Sequence, residues 1–151
     1  GGQEGGYRSG TENVPGIMAM DYAVQNTDTV KNFEKVSKLY NLMVKTLEKD
    51  EKVNIIKTKN PFIINAGFKG VNGETLMRVL QDNGILVSKG SACSSKKAGN
   101  RILESMGFEK EDIKTHIRIS LDASLEENEV LVAGETILKL YNELWEKLKW
   151  M

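Results

Sequence analysis

The chain has 151 residues, 40% hydrophobic and 28% charged, with 21 basic against 21 acidic side chains and one cysteine. That is the length of one ordinary domain, long enough to bury roughly 68–70% of the unfolded chain's surface without staples. One cysteine excludes an internal disulfide framework and a cysteine-based zinc site, and balanced charge with no basic run longer than Lys96-Lys97 argues against nucleic acid as a partner. No stretch approaches the roughly 20 apolar residues of a membrane span, so no membrane partner is expected. Gly1 to Gly6 lack the basic and apolar regions of a secretory signal, which makes a cytoplasmic, reducing compartment the expectation. The glycine-rich start without Met suggests a piece of a longer protein.

Residues 1–16 hold six of the fourteen glycines and one of the two prolines, which reads as irregular: a flexible tail, or a loop shaped around a ligand. Phe33, Val36, Tyr40, Met43 and Leu47 then recur three and four apart, the spacing of one helical face. The helix is expected from near Pro15 to Lys49, with a break near 26–28. Residues 52–56 and 61–66 are short β-branched or aromatic runs and read as neighbouring strands. Asn72 is placed to cap a helix carrying Leu76, Val79 and Leu80, with Gly84 as its left-handed stop. Ile85-Leu86-Val87 reads as a short buried strand, and a helix with Ile102, Leu103 and Met106 inward stops at Gly107. Residues 109–113 add a helical turn. His116 to Leu121 alternates, with Ile117, Ile119 and Leu121 on one face and Arg118 and Ser120 on the other. Ser124 to Glu127 is a Ser-x-x-Glu capping box opening a last helix, whose stripe is Val130, Ala133, Ile137, Leu140 or Tyr141, Leu144 and Leu148. The architecture that buries these faces is a two-layer α+β fold, a small mixed or antiparallel sheet packed by helices.

Cys93 stands between Gly90-Ser91-Ala92 and Ser94-Ser95, small residues that do little to shield a thiol. Lys96, Lys97 and the amides of a following helix would favour thiolate, the nucleophilic form. A flexible serine-rich turn that happens to include a cysteine accounts for the pattern equally well. His116 is the only histidine, and its strand setting favours a surface or structural role over a Cys-His dyad. Arg118, on the non-core face of its strand, offers a planar fork to a carboxylate, or is an ordinary exposed strand arginine. Neither GxxxxGK[ST] nor GxGxxG follows a strand, so no phosphate-binding loop is expected.

Several segments in order, Gly1-Gly2-Gln3-Glu4 with Arg8 to Asn13, Asn60 to Asn65, Gly73-Glu74, Gly84 to Ser88, Gly90 to Ser95 and Ile117 to Leu121, span essentially the whole chain. Together they resemble the pyridoxal-phosphate-dependent cysteine desulfurases of the class V aminotransferase group, in the branch with a long cysteine loop. The resemblance implies that residues 1–20 are the tail of a large cofactor domain and its linker, and that 21–151 form the small C-terminal domain of a fold-type I transferase. It implies that Cys93 is the nucleophile that takes sulfur from L-cysteine as a persulfide, releasing alanine. Arg118 would hold the substrate carboxylate, and Thr11 the cofactor phosphate across a homodimer. A sulfur-acceptor protein, for iron–sulfur cluster assembly or tRNA thiolation, would receive the sulfur. Gly5 and Lys89 depart from the family's usual arginine and serine or threonine.

The family's cofactor lysine follows a histidine, whereas His116 precedes Ile117, so pyridoxal 5'-phosphate is expected in the full-length protein and neither the cofactor nor activity in this chain alone. A selenocysteine lyase or another class V aminotransferase is the rival within the group. A non-catalytic sulfur-relay or scaffold domain is the rival of another class.

Overall fold

A computed structural model describes residues 1–89 and 101–149; the glycine- and serine-rich segment with Cys93 lies outside the described residues. Two compact units are present, Gly1–Lys31 and Asn32–Met151.

In the first unit a single 3-10 turn spans Gln3–Gly6, followed by helix α1, Val14–Gln25. Gly5, Gly6 and Gly10 take positive φ, and Ser9 Oγ donates to Gly1 O at 2.7 Å, so the start of the chain curls back on itself. Asn13 Oδ1 accepts from Gly16 N at 3.2 Å and Pro15 occupies the first turn, which starts α1 where proline is tolerated. The break expected near 26–28 is there: α2 runs Thr29–Leu47, with Lys31 N bonded to Asp28 Oδ1 at 2.9 Å.

The second unit is a three-stranded antiparallel sheet of β1 (Val53–Ile56), β2 (Ile63–Phe68) and β3 (His116–Ser120), in the order β1-β2-β3. β1 is set against β2 by the pair Val53↔Phe68, and β2 against β3 by Ala66↔Ile117 and Asn65↔Arg118. Side chains alternate across a sheet, so this register gathers Ile64, Ala66, Phe68, Ile117 and Ile119 on one face. All five are buried, together with Val36, Leu39, Met43 and Leu47 of α2 and Val130, Ile137 and Tyr141 of the last helix, α6 (Glu127–Leu148). The Phe68 and Tyr141 rings meet edge to face at 5.1 Å, and Tyr141 Oη donates to Lys69 O at 2.8 Å, which satisfies the one polar atom that ring buries. The architecture is the expected two-layer α+β.

Helix α3, Gly73–Asp82, is capped by Asn72, whose Oδ1 accepts from Glu74 N at 2.9 Å. It stops at Gly84, φ +79°, with Ile85 N bonded to Leu80 O, the six-residue closure of a left-handed C-terminal cap. Helices α4, Arg101–Ser105, and α5, Lys110–Thr115, follow; α4 ends at Gly107, as expected, by the same closure from Phe108 N to Leu103 O.

Four expectations need correction. Residues 85–87 do not form a buried strand: Leu86 is 81% exposed, and only Ser88 makes a bridge, to Arg118. A hydrophobic triplet does not reveal that the neighbouring strand has room for one bridge. Among the described side chains of α4 only Leu103 is buried, while Ile102 and, just past the helix, Met106 face solvent, because a helix of barely more than one turn presents one such residue to the core. The capping box is formed by Glu126 and Glu129, with Glu126 N donating to Glu129 Oε2 at 2.8 Å, not by Ser124 and Glu127. Asp122 Oδ1 claims Ser124 N at 2.8 Å in a turn of its own, which delays the helix by two residues. On α6 the stripe from Val130 through Ala133, Ile137, Leu140, Tyr141 and Leu144 packs on the core as expected, but Leu148 is exposed; Gly134 brings α2 close, since a Cβ there would stand 2.9 Å from the Thr46 methyl and 3.2 Å from Met43 Sδ.

The second face of the sheet is partly roofed by α5 and Phe108. Under that roof lies His116, 4% exposed, its ring 5.5 Å from Phe108 and edge to face with it. The ring fits because Gly67, its partner across β2 and β3, has no side chain; a Cβ on Gly67 would lie 2.5 Å from His116 Nε2. Burial pushes the imidazole pKa below its usual 6.5, with the Asp112 carboxylate opposing.

Gly67→Ala therefore destabilises the fold by about 1–3 kcal/mol, the usual cost of overpacking, read as a lower urea midpoint at unchanged slope. The pH dependence follows from the direction of the His116 shift. Above pH 6.5 both folded and unfolded chains carry a neutral ring and no stability is lost. As pH falls below 6.5 the unfolded chain takes up a proton that the folded chain resists, so stability drops until the folded pKa is passed. Because this is the chain's only histidine, His116→Asn is expected to flatten the slope in that window, measured by denaturation between pH 7.5 and 5.

Candidate functional site

Arg118 sits in the middle of β3, between Ile117 and Ile119 of the core face, and so stands on the opposite face, half-buried. It is held from both sides. Its backbone pairs with Asn65 of β2, and on the other edge its N–H donates to Ser88 O at 2.6 Å while its carbonyl accepts from Ser88 N at 3.0 Å. Residues directly opposite in antiparallel pairs share a face, so Ile56, Asn65, Arg118 and Ser88 form one row across the sheet. The Arg118 Nε is buried without a hydrogen-bond partner. A buried donor on a permanently charged fork, left open, is poised for an anionic acceptor.

The rest of the row is uncharged: Asn65 and Ser88 are polar and Ile56 is apolar. Asn65 Oδ1 lies 2.5 Å from His116 Nδ1. An amide oxygen only accepts, so this pairing takes the ring as its Nδ1–H tautomer, in keeping with burial that disfavours the charged ring. Beyond Ser88, Lys89 Nζ reaches Asn72 Oδ1 at 3.3 Å, the same atom that caps α3. Lys89, the departure from the family's usual serine or threonine, is thus tied to the start of α3.

Of the residues singled out in the sequence, Arg118 is placed as expected. Thr11 belongs to the first unit, exposed, with its carbonyl accepting from Arg8 Nη1 at 2.5 Å. Cys93 lies outside the described residues. Sequence reasoning missed Asn65 and took His116 no further than a surface or structural residue. A signal for the pair existed: asparagine is depleted in strand interiors, and Asn65 interrupts an apolar run two residues before a strand glycine.

A cleft of about 630 Å3 opens beside His116, lined by Lys52, Asn54, Gly67, Asn72, Asp112 and Thr115 among others. Arg118 is not part of its lining, so this cleft and the arginine row are neighbours through His116 rather than one site.

The family model for aminotransferase class-V matches residues 2–132. The chain is 32% identical over 161 residues to cysteine desulfurase IscS of Clostridium botulinum (strain Hall), covering 97% of this chain and 41% of that protein. It is 34% identical over 158 residues to cysteine desulfurase IscS of Anaeromyxobacter sp. (strain K), covering all of this chain and 38% of the relative. Among solved structures, a NifS-like protein from Rickettsia africae ESF-5 superposes with a TM-score of 0.78 at 28% identity, over 94% of this chain and 38% of that one. The chain spans about two fifths of the length of these relatives. On the family match across most of its length, together with the shared fold, the chain belongs to the class-V aminotransferase family and is similar to a part of its cysteine desulfurases.

Proposed function

We propose that this chain is the C-terminal portion of a cysteine desulfurase, with residues 1–20 the tail of a large cofactor domain and 21–151 the small domain. The reading is carried by one observation above the others: a half-buried arginine with an open donor, at the position where the resemblance to cysteine desulfurases requires a carboxylate-binding residue. Arg118 holds the α-carboxylate of L-cysteine through its planar fork and orients the substrate. Cys93 supplies the nucleophile. Its thiolate attacks the substrate sulfur; the new S–S bond forms as the substrate Cβ–S bond breaks, the electron pair stays with the substrate carbon skeleton, and Cβ takes up one proton, balancing the one Cys93 gave up, to become the methyl group of L-alanine. The net result is L-alanine and a Cys93 persulfide, which passes its terminal sulfur to an acceptor protein serving iron–sulfur cluster assembly or tRNA thiolation in the cytoplasm.

Once held by the full-length protein, pyridoxal 5'-phosphate would supply the electron sink that labilises the substrate's bonds. The described residues fit that group only in part. Thr11 offers an exposed hydroxyl for its phosphate, in the full-length homodimer. The chain spans about two fifths of its relatives' length, and this reading assigns the lysine that anchors the cofactor to the large domain.

Two measurements test this reading. In the full-length protein Cys93→Ser is expected to abolish alanine release from L-cysteine while the cofactor's visible absorbance is retained; undiminished turnover overturns the assignment of Cys93. The 151-residue chain alone is expected to show no cofactor absorbance after incubation with pyridoxal 5'-phosphate and dialysis, and stoichiometric retention would contradict the division of the site.

A further inference from the structure

We propose that Asn65 is a second donor of the carboxylate subsite headed by Arg118, and that buried His116 is a positioning residue that fixes which end of the Asn65 carboxamide faces that subsite. The proposal rests on the reading of Arg118 as the carboxylate-binding residue.

The argument begins with the register. Asn65 and Arg118 are directly opposite, on the face away from the core, with Cβ atoms about 4.5–5.5 Å apart as in any such pair. Both side chains therefore reach the same patch. Ser88, opposite Arg118 on its other edge, adds a hydroxyl, and Ile56 closes the row with an apolar surface. No residue of the row is acidic.

A free asparagine amide turns over at little cost and presents oxygen or nitrogen equally well. Asn65 does not have that freedom. His116 Nδ1 is 2.5 Å from its Oδ1, and with the ring proton on Nδ1, turning the amide would set NH2 against N–H, donor against donor. Nor does the ring turn to relieve such a clash, since it is packed between Phe108 and the bare backbone of Gly67. The carboxamide oxygen is thus engaged by His116, and its two N–H donors are left for the row. They have no hydrogen-bond partner among the described residues. A fixed amide and a guanidinium with an open Nε, side by side and both donors, match the two oxygens of a carboxylate and reject a cationic or neutral acceptor-poor group. The ligand class is the α-carboxylate of a small amino acid.

Steady-state kinetics of the full-length protein with L-cysteine test this. Asn65→Ala is expected to raise KM about tenfold or more with kcat little changed, the signature of a lost charge-assisted hydrogen bond made equally in the ground and transition states. Asn65→Asp, which keeps the shape but opposes the anion, raises it further. His116→Ala raises KM in the same direction, and His116→Asn, which returns a donor near the Nδ1 position, brings it back toward the wild-type value. Unchanged KM in both Asn65 variants, while Arg118→Lys raises it, overturns this proposal alone; unchanged KM in Arg118→Lys as well means that the carboxylate reading has failed. Equal KM effects in His116→Ala and His116→Asn overturn the positioning role. Independently of turnover, imidazole nitrogen chemical shifts of the 151-residue chain are expected to report the Nδ1–H tautomer, and the Nε2–H tautomer would overturn the clamp.

Discussion

The pairing of β2 with β3 is the constraint from which the rest of this structure follows. With Ala66 opposite Ile117 and Asn65 opposite Arg118, Ile64, Ala66, Phe68, Ile117 and Ile119 face the helices, while Asn65, His116, Arg118 and Ser120 face away with Ile63 at the strand end. A slip of one residue would send Arg118 into the core and Ile117 to solvent, so the burial of Ile64, Phe68, Ile117 and Ile119 enforces the register. The same register that builds the core therefore assembles the arginine row. Packing and recognition are two faces of one hydrogen-bonded ladder.

That economy has a local cost, met by glycine. A histidine ring lies flat against β2 only where the opposing residue has no side chain, and Gly67 provides the space. Gly73 does the same for the backbone: a Cβ there would stand 2.7 Å from the His116 carbonyl oxygen, so the first turn of α3 comes down onto the start of β3. Both glycines are buried, and their use here is close approach rather than a left-handed turn. His116 is thereby sealed between α5, Phe108 and the sheet, where a neutral ring is favoured and its Nδ1–H is committed to Asn65.

Much of the fold was legible along the chain. The caps at Asn72 and Gly84, the stop at Gly107, the break before Thr29 and the alternation of 116–121 all depend on interactions within a few residues, which is the range over which sequence pattern speaks. The failures share the opposite character. Ile85 to Val87 is apolar enough for a strand, yet whether it pairs depends on the edge of β3, and only Ser88 finds a place there. Ser124 looks like a cap until Asp122 takes its amide. Ile102 and Met106 look like core until α4 proves too short to bury more than Leu103. In the site, Arg118 was visible because alternation alone puts it opposite its apolar neighbours, whereas Asn65 is separated from its partners by about a third of the chain.

The sequence by itself determined the two-layer α+β class, the segments that carry the family resemblance, and the identity of the reactive candidates, because helix caps, strand alternation and motif order are local properties. The tertiary structure decided which of those side chains meet. Asn65 and His116 are 51 residues apart and become a hydrogen-bonded pair only when β2 and β3 align. No periodicity within either strand records the other's register; that information exists only in the shared ladder and in the core that holds it.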